Sequence, residues 1–248
     1  IASMVDVLQI TGEDRISNHR PFSFDAHIQD LYPALTVGGS IHIMPSVIRK
    51  DMTGLRDFIV NHHITGGSYT TSLGAMLLES YQLPLRYMTL TGEKMMGLVS
   101  RDVQLVNGYG PTECTDLIST YLLEKERVYQ DIPIGRPMAN SYCFIIDSTG
   151  NLLPLGAAGE LCFASVQVGR GYWKLPEKTR EVFEDCLFLP NDENGQPVRM
   201  YHTGDLCRWN DEGNIEYLGR IDFQVKLRGF RIELGEVENR AKDIKGIS

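Results

Sequence analysis

Apolar positions in the first half of the chain recur at helical spacing and alternate with short strand-like runs. Ile28, Leu31, Tyr32 and Leu35 predict a helix within 25–35, closed by Gly38-Gly39. Residues 40–44 read as a short strand. Leu55, Phe58, Ile59 and His62 mark a second amphipathic helix. Residues 65–72 are rich in Gly, Ser and Thr and read as a connection. They lack the Gly-Lys-Ser/Thr ending of a phosphate-binding loop. Leu73, Met76, Leu77 and Tyr81 predict a third helix. Residues 86–91 form a strand pattern that runs into Gly92, and 103–106 read as the end of a buried strand one helix later. Strand, helix, strand and glycine-rich loop in succession predict an α/β unit. Its sheet should be mostly parallel, with a ligand at the strand ends.

The pattern changes after about residue 140. Residues 142–147 and 159–163 are strand-like, with a turn at 147–151 between them. Pro176 and Glu177 suit the first turn of a helix. Short strands separated by Gly, Asn and Asp continue to Arg220. The expected organisation is an α/β part at 1–140, a β-rich part at 141–221, and the start of a smaller unit at 222–248.

The 248 residues and a net charge of −8 fit a soluble globular protein with a sizeable core. That charge argues against nucleic acid or an anionic membrane as the main partner. No apolar run is long enough to cross a bilayer. Five scattered cysteines without a CxxC pair read as reduced thiols, which points to the cytoplasm. His62-His63 could be a metal pair, but residues at a helix C-terminus, favoured by its dipole, are the simpler reading.

The chemistry concentrates in Asn107-Gly108-Tyr109-Gly110-Pro111-Thr112-Glu113-Cys114. Glycines let a backbone approach a ligand closely. Tyr109 offers a flat face for a purine. Thr112 offers a hydroxyl and an N–H to a phosphate, and Glu113 a hard oxygen ligand for Mg²⁺. Further clusters are Gly159-Glu160-Leu161 with Gly169-Arg170-Gly171-Tyr172-Trp173, the run from Tyr201 to Leu206, and the run from Gly219 to Glu238. Taken in this order, these strings closely resemble the adenylate-forming superfamily. Within it, the closest resemblance is to amino-acid adenylation domains of nonribosomal peptide synthetases.

The resemblance implies ATP-dependent activation of an amino acid as an aminoacyl-adenylate. Transfer to the phosphopantetheine thiol of a carrier protein would follow, with adjacent synthetase domains as partners. Thr112 and Glu113 would act at the phosphates, with Glu113 on Mg²⁺. Asn107, Gly108, Tyr109, Gly110, Pro111 and Thr112 would hold the nucleotide, with Asp205 on the ribose hydroxyls and Arg220 beside it. Asp222 takes the place of the family's hinge. Lys226, just past it, reads either as a nucleotide-facing residue or as a solvated lysine. Asp25 would pair with the substrate ammonium. The side-chain pocket would be lined by Ala26, Gln29, Ser68, Thr89, Thr91, Gly108, Asp116 and Leu117. Asp116 favours a polar, cationic side chain if it faces the pocket, and reads otherwise as an exposed helix residue.

The family's phosphate loop with its lysine, and its C-terminal catalytic lysine, are not in these 248 residues. The chain is therefore expected to be a partial large domain plus the start of the small one, with poor turnover on its own. Two alternatives are a stand-alone ligase of the D-alanine–carrier-protein type and a non-catalytic nucleotide-binding fragment.

Overall fold

A computed structural model describes residues 1–100, 102–221, 225–227 and 230–232. The first half builds a seven-stranded sheet in the order β2-β1-β3-β4-β5-β6-β7. Its strands are β1 (Arg15–Asn18), β2 (Ser40–Ile43), β3 (Gly66–Thr70), β4 (Tyr87–Thr91), β5 (Gln104–Tyr109), β6 (Ser119–Leu122) and β7 (Arg136–Pro137). The first five pair in parallel; β6 and β7 continue antiparallel. Helices α1 (Ala2–Leu8), α2 (Ile28–Thr36), α3 (Met52–Asn61) and α4 (Thr71–Ser80) accompany it. The Asp51 side chain caps α3 by accepting from the Thr53 amide at 3.1 Å. Apolar faces of α3, α4 and the sheet meet in one core around Leu55, Ile59, Tyr69, Leu77, Met88 and Leu90.

The connection expected at 65–72 is in fact β3, whose first four residues are buried. Its neighbours β1 and β4 supply hydrogen bonds on both sides, which overrides weak local propensity. Gly66 is needed there, since a Cβ would lie 2.2 Å from the Tyr87 ring. A second difference lies between β4 and β5. The expected helix is absent among the described residues of 92–103; Gly92 and Gly97 have left-handed φ of 91° and 61°, which a helix cannot continue through. The strand preceding the glycine-rich loop also runs further than expected and takes in Asn107, Gly108 and Tyr109.

The second sheet is antiparallel, made of β8 (Tyr142–Ile146), β9 (Gly159–Ala164), β10 (Phe183–Asp185), β11 (Arg199–Trp209) and β12 (Ile215–Arg220), with α5 (Pro176–Val182) at its side. The long β11 is central, pairing with β9 along one edge and with β10 then β12 along the other. A bridge between Gly135 and Ile215 joins the two sheets. A short hairpin, β13 (Val225–Leu227) and β14 (Phe230–Ile232), follows. All five cysteines are free and buried. No helix of the described residues is long and apolar enough to cross a membrane.

Candidate active site

The site forms where the parallel strands end and the sheet turns antiparallel, the usual ligand position in α/β sheets. Strand β4 runs through Thr91 into Gly92, and β5 through Tyr109 into Gly110. The loop then doubles back. Thr115 and Asp116 take left-handed φ of 54° and 80°, and the Ile118 amide returns to the Tyr109 carbonyl at 2.9 Å. This return passes so close to Gly110 that a Cβ there would lie 1.7 Å from the Asp116 carbonyl oxygen. The second sheet holds the loop from outside. Gln167 Nε2 donates to the carbonyls of Cys114 and Leu117 at 2.9 and 3.0 Å, and the Gly169 amide donates to that of Glu113 at 2.7 Å.

Three predicted residues from distant parts of the chain meet here. The Tyr109 hydroxyl donates to Asp205 Oδ2, and Arg220 Nη1 donates to Asp205 Oδ1 at 3.0 Å and to the Thr203 carbonyl at 2.7 Å. Asp205 is only 2% exposed, so its charge relies on these donors. Burial, reinforced by the Asp205 charge, raises the Tyr109 phenol well above its usual pKa and keeps it protonated. Asn107 Nδ2 donates to the Pro133 carbonyl at 2.8 Å. That bond fixes the amide's orientation and leaves Oδ1 as its acceptor.

Two clefts flank this junction and share Gly92 and Gly110. The larger, about 210 Å³, is walled by Asn107, Gly108, Tyr109, Ile132, Ile134 and Tyr217, with Glu93, Lys94 and Met95 along one side. The smaller, about 110 Å³, is walled by Asp25, Ala26, Gln29, Thr91, Asp116 and Leu117 together with Pro111, Thr112, Asp205 and Arg220. Asp116 is thus a buried wall residue in a left-handed bend, which excludes the exposed-helix reading. It accepts from Gln29 Nε2 at 2.5 Å, and burial pushes its carboxyl up to about 7 against that bond.

Three residues expected in the side-chain pocket do not line the smaller cleft: Gly108 walls the larger one, and Ser68 and Thr89 are committed elsewhere or lie behind the wall. Ser68 donates from its amide and hydroxyl to Asp30 Oδ1 at 2.9 and 2.8 Å. Thr89 is buried beside Gly108. Thr112 is exposed at the loop and reaches the smaller cleft. Glu113 is half-buried, and its Oε1 accepts from the Tyr172 hydroxyl at 2.8 Å. Asp222 lies outside the described residues, and so does the side chain of Lys226.

Sequence reasoning missed Arg20 and Tyr217, and it quoted Tyr172 in a motif without giving it a role. Arg20 is the consequential one. It lines the smaller cleft, is 5% exposed, and donates from Nη2 to Thr91 Oγ1 at 2.6 Å. Burial lowers its pKa, opposed by Asp30, Asp116 and Asp25. The only sequence signal for it is an arginine between a strand and the Pro21 turn.

Residues 1–173 match the family model described as "AMP-binding enzyme". The chain is 38% identical over 232 residues to bacitracin synthase 1 of Bacillus licheniformis, covering 94% of this chain and 4% of that protein. It is 37% identical over 236 residues to gramicidin S synthase 1 of Brevibacillus brevis, covering 94% of this chain and 21% of that one. Among solved structures, PA1221, an NRPS protein containing adenylation and PCP domains, superposes with a TM-score of 0.83 at 27% identity, over 99% of this chain and 52% of that chain. The fold alone is shared with NpsA-ThdA, an artificially fused adenylation-PCP di-domain from Klebsiella oxytoca, at 22% identity and a TM-score of 0.84. The chain thus spans a small part of the synthetases it resembles and about half of the solved PA1221 chain. With its α/β fold and its paired clefts, the chain belongs to the AMP-binding, adenylate-forming enzyme family and is closely related to nonribosomal peptide synthetase adenylation domains.

Proposed function

We propose that the protein carrying this chain activates an amino acid with ATP and passes it to a carrier protein in nonribosomal peptide synthesis. A carboxylate oxygen of the amino acid attacks the α-phosphorus of ATP, and pyrophosphate leaves. A phosphopantetheine thiol then attacks the acyl carbon. AMP leaves, and the thiol proton passes to solvent. The observation that carries this reading is the pair of adjoining clefts with the Tyr109–Asp205–Arg220 cluster at their junction. The larger cleft suits an adenine. It has apolar and aromatic walls, and Asn107 Oδ1 is an acceptor for an exocyclic amine. Asp205 accepts one donor on each oxygen and retains lone pairs for two ribose hydroxyls. Gly110, Pro111 and Thr112 bring the backbone to the phosphates. Asp25 and the smaller cleft take the amino acid.

The donor set at Glu113 fits Mg²⁺. It is a single half-buried carboxylate oriented by Tyr172, and Mg²⁺ commonly takes one or two protein carboxylates, with phosphate and water filling the rest. The ion supplies charge neutralisation at the phosphates. What this chain supplies is position and preorganised donors, the main need of a reaction between two anions.

Relatives that are peptide synthases favour this reading over a stand-alone D-alanine-type ligase. Amino-acid-dependent exchange of pyrophosphate into ATP by the natural protein that carries this chain is the test. Nucleotide binding without exchange for any amino acid would leave the non-catalytic alternative instead.

A further inference from the structure

The second sheet carries a cluster of ligating side chains that lines neither cleft. Strand β9 places Glu160 and Cys162 two positions apart, so both lie on one face of the sheet. In the pairing of β9 with β11, His202 stands opposite Cys162. The His202 Nδ1 lies 3.4 Å from Cys162 Sγ and 3.1 Å from Glu160 Oε2. Its Nε2 lies 2.8 Å from Oε1 of Glu184, on β10. Ligand atoms of Glu160, Cys162 and His202 all fall within 4.8 Å of one another. Cys162 is fully buried, while the Glu160 and His202 side chains are 25% and 22% exposed, so solvent reaches the cluster from their side.

A plain ion pair needs only a protonated ring between Glu160 and Glu184. Bonds to Cys162 and Glu160, against burial, push the His202 pKa up to about 11, so without an ion the ring holds that proton. Such a pair does not need the thiol. Here a thiol and a carboxylate converge on one imidazole nitrogen, and a second carboxylate takes the other nitrogen. That is the arrangement of a metal-ligating histidine, whose outer N–H is held by a carboxylate. A tetrahedral zinc ion with bonds of about 2.0–2.3 Å spaces its ligand atoms by roughly 3.3–3.8 Å. The 3.1 and 3.4 Å spacings around Nδ1 come close to that range without an ion. Sulfur, nitrogen and one carboxylate oxygen suit zinc and not magnesium or calcium. Glu160 is also oriented from behind, since its Oε1 accepts from the Gly204 amide at 2.9 Å.

We propose that Glu160, Cys162 and His202 form a zinc site, with Glu184 holding the His202 ring and a water completing the tetrahedron. Binding displaces one proton from His202 Nδ1 and one from the Cys162 thiol, and both pass to solvent. The thiolate and the Glu160 carboxylate then balance the charge of the ion. The ion ties β9 to β11 beside the irregular stretch between His202 and Leu206, which presents Asp205.

The natural protein that carries this chain is stripped with a chelator and titrated with Co²⁺, a spectroscopic stand-in for zinc. Zn²⁺ affinity is then read by competition with a chromophoric chelator. Cobalt should produce a thiolate-to-metal charge-transfer band that Zn²⁺ abolishes and that Cys162→Ala lacks. His202→Arg keeps a cation between Glu160 and Glu184 but removes the ligand nitrogen, so it should bind one zinc ion fewer than the parent. Glu184→Ala should weaken zinc at this site by about 10–100-fold. Each variant is compared with the parent, so ions held elsewhere in the protein cancel. A parent without the band, a band that survives in Cys162→Ala, or the parent's zinc stoichiometry in His202→Arg overturns the site and leaves an ion pair only. If Cys162→Ala or His202→Arg does not fold, Glu184→Ala decides, because that side chain is 50% exposed; unchanged zinc affinity there overturns the proposal.

Discussion

Replacing Gly110 by alanine should damage the fold and the site together, because the obstacle is backbone. The new Cβ would stand 1.7 Å from the Asp116 carbonyl oxygen, 2.7 Å from its carbon and 2.8 Å from Leu117 Cα. No rotamer change relieves such contacts, so the returning segment must retreat by about an ångström or more to reach normal contact distance. That segment carries the Ile118–Tyr109 backbone bond and the Asp116–Gln29 bond. Losing an ordinary buried hydrogen bond and one to a charged group amounts to about 2–4 kcal/mol. Stiffening of the unfolded chain by alanine offsets less than about 1 kcal/mol. Gly108→Ala is the control. Its Cβ would meet Leu117 Cδ2 at 2.8 Å, Thr91 Cγ2 at 2.9 Å and Thr89 Cγ2 at 3.3 Å, which are side-chain methyls rather than backbone and stand farther off than the Asp116 carbonyl oxygen. Urea unfolding with calorimetric titration of AMP reads both effects. Gly110→Ala should lower the unfolding midpoint and weaken AMP, while Gly108→Ala keeps the midpoint closer to that of the parent. A Gly110→Ala protein within about 0.5 kcal/mol of the parent, with AMP affinity unchanged, would refute the reasoning.

Tyr109→Phe removes a donor from a carboxylate that is 2% exposed and should cost about 1.5–3 kcal/mol in thermal or urea unfolding, while keeping the ring that faces the larger cleft. Asp205→Asn should weaken ATP and narrow the gap in affinity between ATP and 2′-deoxy-ATP, measured by competition binding. Glu113→Gln should raise the Mg²⁺ concentration needed for half-maximal exchange without changing amino-acid preference. Burial pushes the Asp30 carboxyl up to about 7, against an Arg20 charge and two bonds from Ser68. Between about pH 4 and 7 the folded state therefore holds a proton that the unfolded state has released, so this group lowers stability as pH rises through that window. The slope is at most about 1.4 kcal/mol per pH unit. Asp30→Asn should flatten that part of the stability–pH curve, and a curve that keeps its slope would count against a buried, protonated Asp30.

The sequence made parts of this fold and site legible for unequal physical reasons. Helices α3 and α4 bury Leu55, Ile59 and Leu77 as their spacing predicts, whereas α2 forms where its spacing predicts but buries Gln29, Asp30, Pro33 and Ala34 and leaves Tyr32 and Leu35 exposed. Strand β3 carries none of that information. Gly-Gly-Ser-Tyr-Thr is a poor strand former alone, and it is extended because β1 and β4 bind both its edges and the Tyr87 ring fills the space above Gly66. The same division runs through the site. Asn107 to Glu113 is readable because its residues are consecutive, and consecutive positions leave a string. The smaller cleft is assembled from the turn before α2, from α2 itself, from β4 and from the left-handed bend at 115–116. The sequence leaves Asp116 open between a pocket residue and an exposed helix residue, and two successive left-handed residues turn it into the cleft wall; Arg20 belongs to no motif and is buried against Thr91. Residues of this kind are invisible to motif reading because their place is set by contacts between elements far apart in the chain, Arg20 with Thr91 and Gln29 with Asp116, and such contacts leave no consecutive string.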